Sequence, residues 1–540
     1  MITTQVAVEP RSVQTAEPIR LGLPLTLALW SVAGAALVGW LTLAALHVDD
    51  DYRVTHLQGA WIAVSEAART GRFYPAAFDG EHYAGTRWMP VPILLNAAGA
   101  ALVGDPLVGG KLVAAVLMAI LLALIVTVLR RESCPWPLAA GLAAVAVTTE
   151  TGLQAGTTIG GDILAVVLQV GALAIALRDR GRAAMVIAGV LAGLAIASKL
   201  NGLWALFAIA SWLAVQRRWR AAMVFGASSA ATAGLILGAV QLLTEGGLSH
   251  HLAAFSAAGV SGAKSLIRAP NQVLYNLVGF ATGTVVLAPL ALVSVLLVSS
   301  WRKLSLIHVA FGWALLLLLG VYADTGTGYN QLIDVVTLTT LAVGHLIARA
   351  GRIDDSRGAR LVATIVAVTV IWAAGVGVVR TVAFDLRRAP DGSEVGGRAA
   401  RAVAAIVKPG ERVLAEDPSI DVALGRPPIV MDPYMLTRID RAHPEWVDPL
   451  IARIEQRQFD LVVLVVSLQN PAVDYWWTDY HLGPRVANAL RRSYRPAGKI
   501  GRYHLYRPMN HSASPATRTG DAAPEVAESS SPTGAAGLQR

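Results

Sequence analysis

Charge is scarce in this sequence. Asp, Glu, Lys and Arg make up 15% of its 540 residues, where a soluble domain carries about 25%, and the mean hydropathy is +0.53. That shortage excludes an ordinary water-soluble globular protein. Hydrophobic residues amount to 54%, and apolar runs of about 18 or more recur through roughly the first 380 positions, where a helix needs about 20 to cross the hydrocarbon core of a bilayer. Cysteine is all but missing. The single thiol, Cys134, stands in the turn Cys134-Pro135-Trp136-Pro137, so an intrachain disulfide is excluded and any external domain folds without one. As a small apolar filler Cys134 needs no other role. No internal repeat is visible, nor the inverted symmetry of many secondary transporters. Acid is in deficit too, with 45 Lys and Arg against 36 Asp and Glu, a net charge of +9. The basic residues sit in short clusters between apolar runs, a pattern of membrane topology rather than of nucleic-acid binding.

Those clusters are Arg130-Arg131, Arg178 to Arg182, Arg217 to Arg220, Arg302-Lys303 and Arg349 to Arg360. If all five face the cytoplasm, about eleven spans follow, at 21–46, 107–129, 136–149, 161–177, 183–198, 202–215, 221–243, 273–299, 305–322, 331–349 and 361–380. Each cluster then alternates correctly under the positive-inside rule. Residues 1–20 form a polar cytoplasmic tail, and the first apolar run, too long for a signal-peptide core, is an uncleaved span. Segment 183–215 is basic at both ends and too long for one span, so two short helices meet at an outward turn, Lys199-Leu200-Asn201-Gly202. Segment 90–104 is weakly apolar and reads as interfacial or re-entrant, which moves the count by one or two.

The outer side receives three loops, at about 47–108, 244–272 and 323–330. Beyond residue 380 the composition changes. Helical patterns at 396–408, 445–457 and 484–494 alternate with strand-like runs at 412–415, 428–431 and 460–466, and 499–506 can pair as a hairpin. The expected fold is therefore a polytopic α-helical membrane domain (21–380) followed by a small extracytoplasmic α/β domain (381–510). Residues 511–540 are rich in Ser, Thr, Ala and Pro without periodicity and are expected to be disordered. Trp476-Trp477, with Tyr475 and Tyr480, reads either as a membrane-interface belt or as a sugar-stacking patch.

The strongest chemical feature is Asp49-Asp50-Asp51, directly after the first span. Three adjacent carboxylates at a membrane edge repel one another unless a cation is near. Their bland reading is a solvated loop start; their functional reading is a general base. The loop continues through Tyr52, Trp61, Glu66-Ala67-Ala68-Arg69 and Gly71-Arg72-Phe73-Tyr74-Pro75. Further along stand Thr157-Thr158-Ile159-Gly160-Gly161-Asp162, Ala197-Ser198-Lys199-Leu200-Asn201-Gly202 and Gly328-Tyr329-Asn330-Gln331-Leu332-Ile333-Asp334.

As an ordered set over residues 21–380 these motifs resemble the GT-C fold glycosyltransferases that use lipid-linked sugars, in the bacterial family-39-like group related to protein mannosyltransferases and aminoarabinose transferases. In that family an acidic pair follows the first span, then an amphipathic juxtamembrane stretch and a Gly-x-x-Tyr-Pro-like turn. The resemblance implies inverting transfer of a sugar from a polyprenyl-phosphate donor to a cell-envelope glycan, lipid or protein, by a multi-pass enzyme of the cell membrane. It assigns the base to Asp49, Asp50 or Asp51; three aspartates stand where the family has two, so the corresponding pair stays open. An outer active site has no access to cytosolic nucleotide sugars, so a lipid-carried donor fits. Its phosphate needs cationic donors, and the candidates are Lys199, Arg87, Arg72 and Arg268. Asp162, Tyr83, Asn330 and Asp334 are candidates for positioning the acceptor, Asp162 and Asp334 alternatively pairing with Lys199 or capping helices. A divalent metal, Mg or Mn, could be held by Asp50, Glu81 and His82, although their spacing is not diagnostic. The rival function is a transporter or flippase with Asp162, Lys199 and Asp334 as an intramembrane relay. A third is a scaffold that recruits partners through the α/β domain.

Overall fold

The computed structural model describes residues 21–50, 57–178, 181–257, 262–298, 300, 303–324, 327–351, 356–386 and 396–509. The expected tails 1–20 and 511–540, and Asp51, lie outside the described residues.

Among the described residues, five helices are long and apolar enough to cross a membrane: Leu23–Leu46, Pro106–Arg131, Trp219–Leu243, Tyr329–Ala350 and Arg357–Ala383. Two bent pairs raise that number to as many as seven, and five shorter apolar helices, Pro90–Val103, Trp136–Thr148, Arg182–Ser198, Trp204–Val215 and Leu306–Val321, pack among them. Large apolar side chains such as Leu27, Val116, Leu242, Leu361 and Trp372 point outward. Such a surface suits lipid and not water. The chain is a multi-pass helical membrane protein. Helix Ile333–Ala350 runs through its centre, with nearly every side chain buried. Close helix contact depends on small residues. A Cβ on Gly109 would lie 2.5 Å from the Gly99 carbonyl oxygen, so Pro90–Val103 and Pro106–Arg131 meet backbone to backbone.

Each expected span falls on a helix, with one correction. The run 273–299 is not one straight span: Ile267–Phe280 and Thr282–Leu296 meet at 118°. At the break the Phe280 ring stacks on Tyr329 at 4.1 Å and its carbonyl accepts the Thr151 hydroxyl at 3.5 Å, which replaces the lost helical bond. The segment 90–104, expected as interfacial or re-entrant, is the short helix Pro90–Val103, closed by left-handed Gly104. At the ends that carry the basic clusters, His345 pairs with Glu132 at 2.9 Å and Ser294 with His308 at 2.9 Å, which ties four segments together.

The C-terminal part holds a four-stranded sheet: β1 (Val413–Ala415), β2 (Leu461–Leu464), β3 (Tyr494–Ile500) and β4 (Tyr503–Pro508), in the order β1-β2-β4-β3. β1 and β2 are parallel, and β4 pairs antiparallel with both β2 and β3. Alternation sorts the side chains. Val413, Ala415, Leu461 and Val463 meet Ala399, Ala400 and Val403 on one face, and Leu414, Val462 and Leu464 meet Leu436, Val447, Val486 and Leu490 on the other.

Two expectations fail here. Residues 428–431 do not join the sheet, because Pro427 and Pro428 offer no N–H. Instead Val430 bridges to Tyr83 of the first loop, with Tyr83 N–H donating to Ile429 O (2.7 Å) and Met431 N–H to Tyr83 O (2.8 Å). Trp476 and Trp477 form neither a belt nor a stacking surface. Trp477 is buried in the core, and Trp476 Nε1 donates to Glu416 Oε1 at 2.6 Å.

Candidate active site

The first apolar helix ends at Leu46, and the chain turns back on itself at once. His47 caps the helix through its N–H to Leu43 O (3.1 Å), and Asp50 N–H reaches His47 O at 3.4 Å. That turn brings His47 Nδ1 to Asp50 Oδ2 at 2.7 Å, with both side chains buried. Lys111 arrives from the next long helix. Its ammonium donates to the carbonyls of His47 (2.5 Å) and Asp50. Lys111 is itself buried, so the charge in this apolar bundle is spent on holding the turn. The result is a carboxylate oriented by an imidazole, on a turn whose backbone carbonyls an ammonium braces, the layout of a base with its orienting group. Asp49 beside it is half-buried. His47 and Lys111 were not among the residues the sequence singled out. The one signal for Lys111 was a lone charge inside an apolar run.

A second cluster gathers the three motifs noted along the chain. Lys199 Nζ lies 2.6 Å from Asp162 Oδ1, and Asn330 Nδ2 donates to Asp162 Oδ2 at 2.7 Å. Asp334 Oδ1 accepts from Trp204 Nε1 (2.7 Å) and Gln169 Nε2 (3.4 Å), while Asn201 Nδ2 donates to Gln331 Oε1 (3.0 Å). Asp162 begins the helix Asp162–Arg178 after a 104° bend from Glu150–Thr157. Polar backbone at such a bend survives in a membrane only when buried in protein or facing a cavity. Glu150 is paired with Arg380 at the end of the last long helix. The two clusters adjoin. A Cβ on Gly110, beside Lys111, would sit 2.9 Å from Ile159, and one on Gly161, beside Asp162, 3.0 Å from the Trp61 ring of the first loop.

A third group joins the loops to the C-terminal sheet region. The Arg87 guanidinium lies 3.9 Å from the Tyr434 ring centre, and Arg438 lies 5.1 Å from the same ring. Arg438 also donates to Asp324 at 2.9 Å. Asp432, buried at the start of helix Pro433–Ala442, has its carboxyl raised by burial, which the Arg87 charge only partly offsets. His251 of the second loop bonds twice to the first: its Nδ1 accepts Thr86 N–H (3.2 Å) and its Nε2–H donates to Pro75 O (2.5 Å). Asp417 Oδ2 accepts from Tyr503 and Arg502, both at 2.6 Å, and its Oδ1 from Ser419 Oγ (2.6 Å) and N–H (3.0 Å).

The remaining candidates scatter. Arg72 and Arg268 are exposed, the latter on helix Gly262–Phe280. Tyr83, expected to position the acceptor, is buried against the sheet domain and donates its hydroxyl to Trp446 O at 2.8 Å, a contact that docks the loop. The trio Asp50, Glu81 and His82 is not assembled as a metal site. Asp50 faces His47, whereas His82 folds back on Asp79 at 3.2 Å and Glu81 is exposed. Among the described residues no group of three His, Cys, Asp or Glu is placed to hold a metal ion.

The helical membrane bundle with its small α/β unit shares the GT-C fold of solved membrane glycosyltransferases. Among the solved proteins that share it are ArnT and an oligosaccharyltransferase. ArnT from Cupriavidus metallidurans, solved bound to undecaprenyl phosphate, matches with a TM-score of 0.55 over 91% of this chain and 100% of that one, at 15% identity. Its apo form gives 0.59 over 89% and 98%. The apo oligosaccharyltransferase of Archaeoglobus fulgidus matches with 0.51 over 90% and 75%, at 12% identity. No protein-family model and no curated protein matches the sequence.

Proposed function

We propose that this chain is a membrane glycosyltransferase that moves a sugar from a polyprenyl-phosphate donor to an extracytoplasmic acceptor, a cell-envelope glycan, lipid or protein. The observation that carries the reading is the buried Asp50, oriented by His47 on a turn braced by Lys111 at the end of the first span. It occurs in a fold shared with ArnT, whose solved structure holds undecaprenyl phosphate. In this reading about eleven spans cross the cell membrane, with residues 1–20 in the cytoplasm and 381–510 outside. The five basic clusters support that orientation.

The reaction follows from the groups present. A carboxylate of the Asp49, Asp50 and Asp51 set takes the proton of an acceptor hydroxyl. The hydroxyl oxygen attacks the anomeric carbon from the face opposite the phosphate. The anomeric C–O bond to phosphate breaks, polyprenyl phosphate leaves with the bonding pair, and the configuration inverts. Arg87 is half-buried and supports a role in holding the donor phosphate, with Arg72 and Arg268 at the surface. Lys199 is already neutralised by Asp162, so a phosphate there competes with that carboxylate. Asn330 and Asp334, in the same cluster, are suited to orienting the acceptor.

The test is transfer of labelled sugar from a synthetic polyprenyl-phosphate donor by protein in liposomes. Asp50→Asn is expected to insert normally and to lose at least about 100-fold in rate, the usual scale for a positioned base. Full activity in Asp50→Asn and in the triple Asn variant at 49–51 sinks the base assignment. Solute flux without a lipid-linked donor supports the transporter instead.

A further inference from the structure

Helix Gln58–Arg69 follows the acidic turn and begins against the C-terminal domain. Its second residue is Gly59. A Cβ there would lie 1.9 Å from Asp417 Oδ1 and 3.2 Å from the Pro418 ring, so a bare backbone is the one that fits. Asp417 cannot swing aside, because Tyr503, Arg502 and Ser419 hold both of its oxygens. A fixed carboxylate at the first turn of a helix also meets the positive end of the helix dipole. Lys111 holds the acidic turn through the carbonyls of His47 and Asp50, and Asp417 packs against the first turn of helix Gln58–Arg69. Further along the same helix, Trp61 stacks on Trp88 at 4.1 Å and touches the Gly161 turn beside Asp162.

We propose that Asp417, acting through Gly59, is a positioning residue that sets the placement of helix Gln58–Arg69, and with it Trp61, against the Asp162 turn. The inference rests on the glycosyltransferase reading given above. Asp417 touches no reacting atom; it transmits the position of the C-terminal domain to the outer loop.

The experiment uses the full chain in liposomes and three variants, Asp417→Ala, Gly59→Ala and their double. Small misplacements far from the chemistry cost up to about 100-fold in rate. Each single variant is expected to lower kcat about 10- to 100-fold with little change in donor KM. The double variant is expected to be no worse than Asp417→Ala alone, since the clash at Gly59 has gone. Asp417→Asn, which keeps an oxygen towards Gly59, recovers most of the turnover. Hydrogen exchange supplies a readout independent of activity: residues 58–69 lose protection in Asp417→Ala and Gly59→Ala, while β2 and β4 stay protected in Gly59→Ala, which leaves the Asp417 bonds to Tyr503 and Arg502 in place. Wild-type turnover in both single variants, or losses that multiply in the double, overturns the proposal. Unchanged exchange at 58–69 in Gly59→Ala overturns it as well. A wild-type protein that transfers no sugar fails the glycosyltransferase reading, while the exchange result still decides the coupling between Asp417 and Gly59.

Discussion

Acid should unfasten the first long loop from the second at a single residue, His251. Its ring is fully buried and used as a neutral imidazole, Nδ1 accepting Thr86 N–H and Nε2–H donating to Pro75 O. Protonation places a hydrogen on Nδ1 and turns it against the Thr86 N–H. Burial drives the pKa from 6.5 down to about 4, the Pro75 contact working against that shift and His250 adding to it. A group whose folded pKa is depressed contributes stability in full above its unfolded value and loses it as the pH falls through the folded one. The sensitive window is therefore from 6.5 down to about 4. By linkage the loss is about 2 kcal/mol at about pH 5 and about 3 kcal/mol near the folded pKa. The measurement is hydrogen exchange across 74–88 at stepped pH, comparing wild type with His251→Gln. The glutamine amide can accept and donate in the same places but does not titrate. Wild type is expected to lose protection in that window, and the variant to stay flat once intrinsic exchange is corrected. Equal pH slopes in the two proteins would refute the assignment of the acid sensitivity to His251.

Other outcomes follow from the packing. Lys111→Met takes a buried donor from the Asp50 carbonyl and leaves the His47 carbonyl the long Asp50 N–H bond, and should cost about 1–3 kcal/mol, read as a lower melting temperature in detergent together with reduced transfer. Lys199→Met leaves the Asp162 carboxylate with only Asn330, and Asp162→Asn added to it should restore much of the lost melting temperature; no rescue would count against the pair. Trp477→Ala opens a cavity in the core of the sheet domain and should lower stability by about 3–5 kcal/mol, measured by denaturant or thermal melts. A surface aromatic would lose almost nothing.

The helices could be read from the chain because apolar runs near membrane thickness have few other uses. The sheet was legible where alternation was clean, as at Leu461–Leu464, and was lost at 428–431, where two prolines removed the donors and a distant loop supplied the partner. The Asp162 and Lys199 pair was one of the readings open for those residues, because a membrane-edge charge must find its opposite. His47 and Lys111 were not foreseen, since they are 64 positions apart and only the fold brings one to the other. The Trp476-Trp477 pair misled for a related reason. An aromatic residue suits a core, an interface or a ligand equally well, and the choice is made by what packs over it. Asp417 gave no sign at all: its significance lies in the missing side chain of Gly59.

The bond from Tyr83 to Trp446 spans 363 positions. On a ribosome that separation is time. The first loop is synthesised early, yet the segments it docks on, Val430, Tyr434 and Trp446, are made only after the last long apolar helix. Until then Tyr83 has no carbonyl to bond and Gly59 no Asp417 to rest on. Non-local contacts of this kind close late in folding. The docking of the first loop is thus completed last, and a chain cut short near residue 381 would form its helices without the contacts that hold that loop.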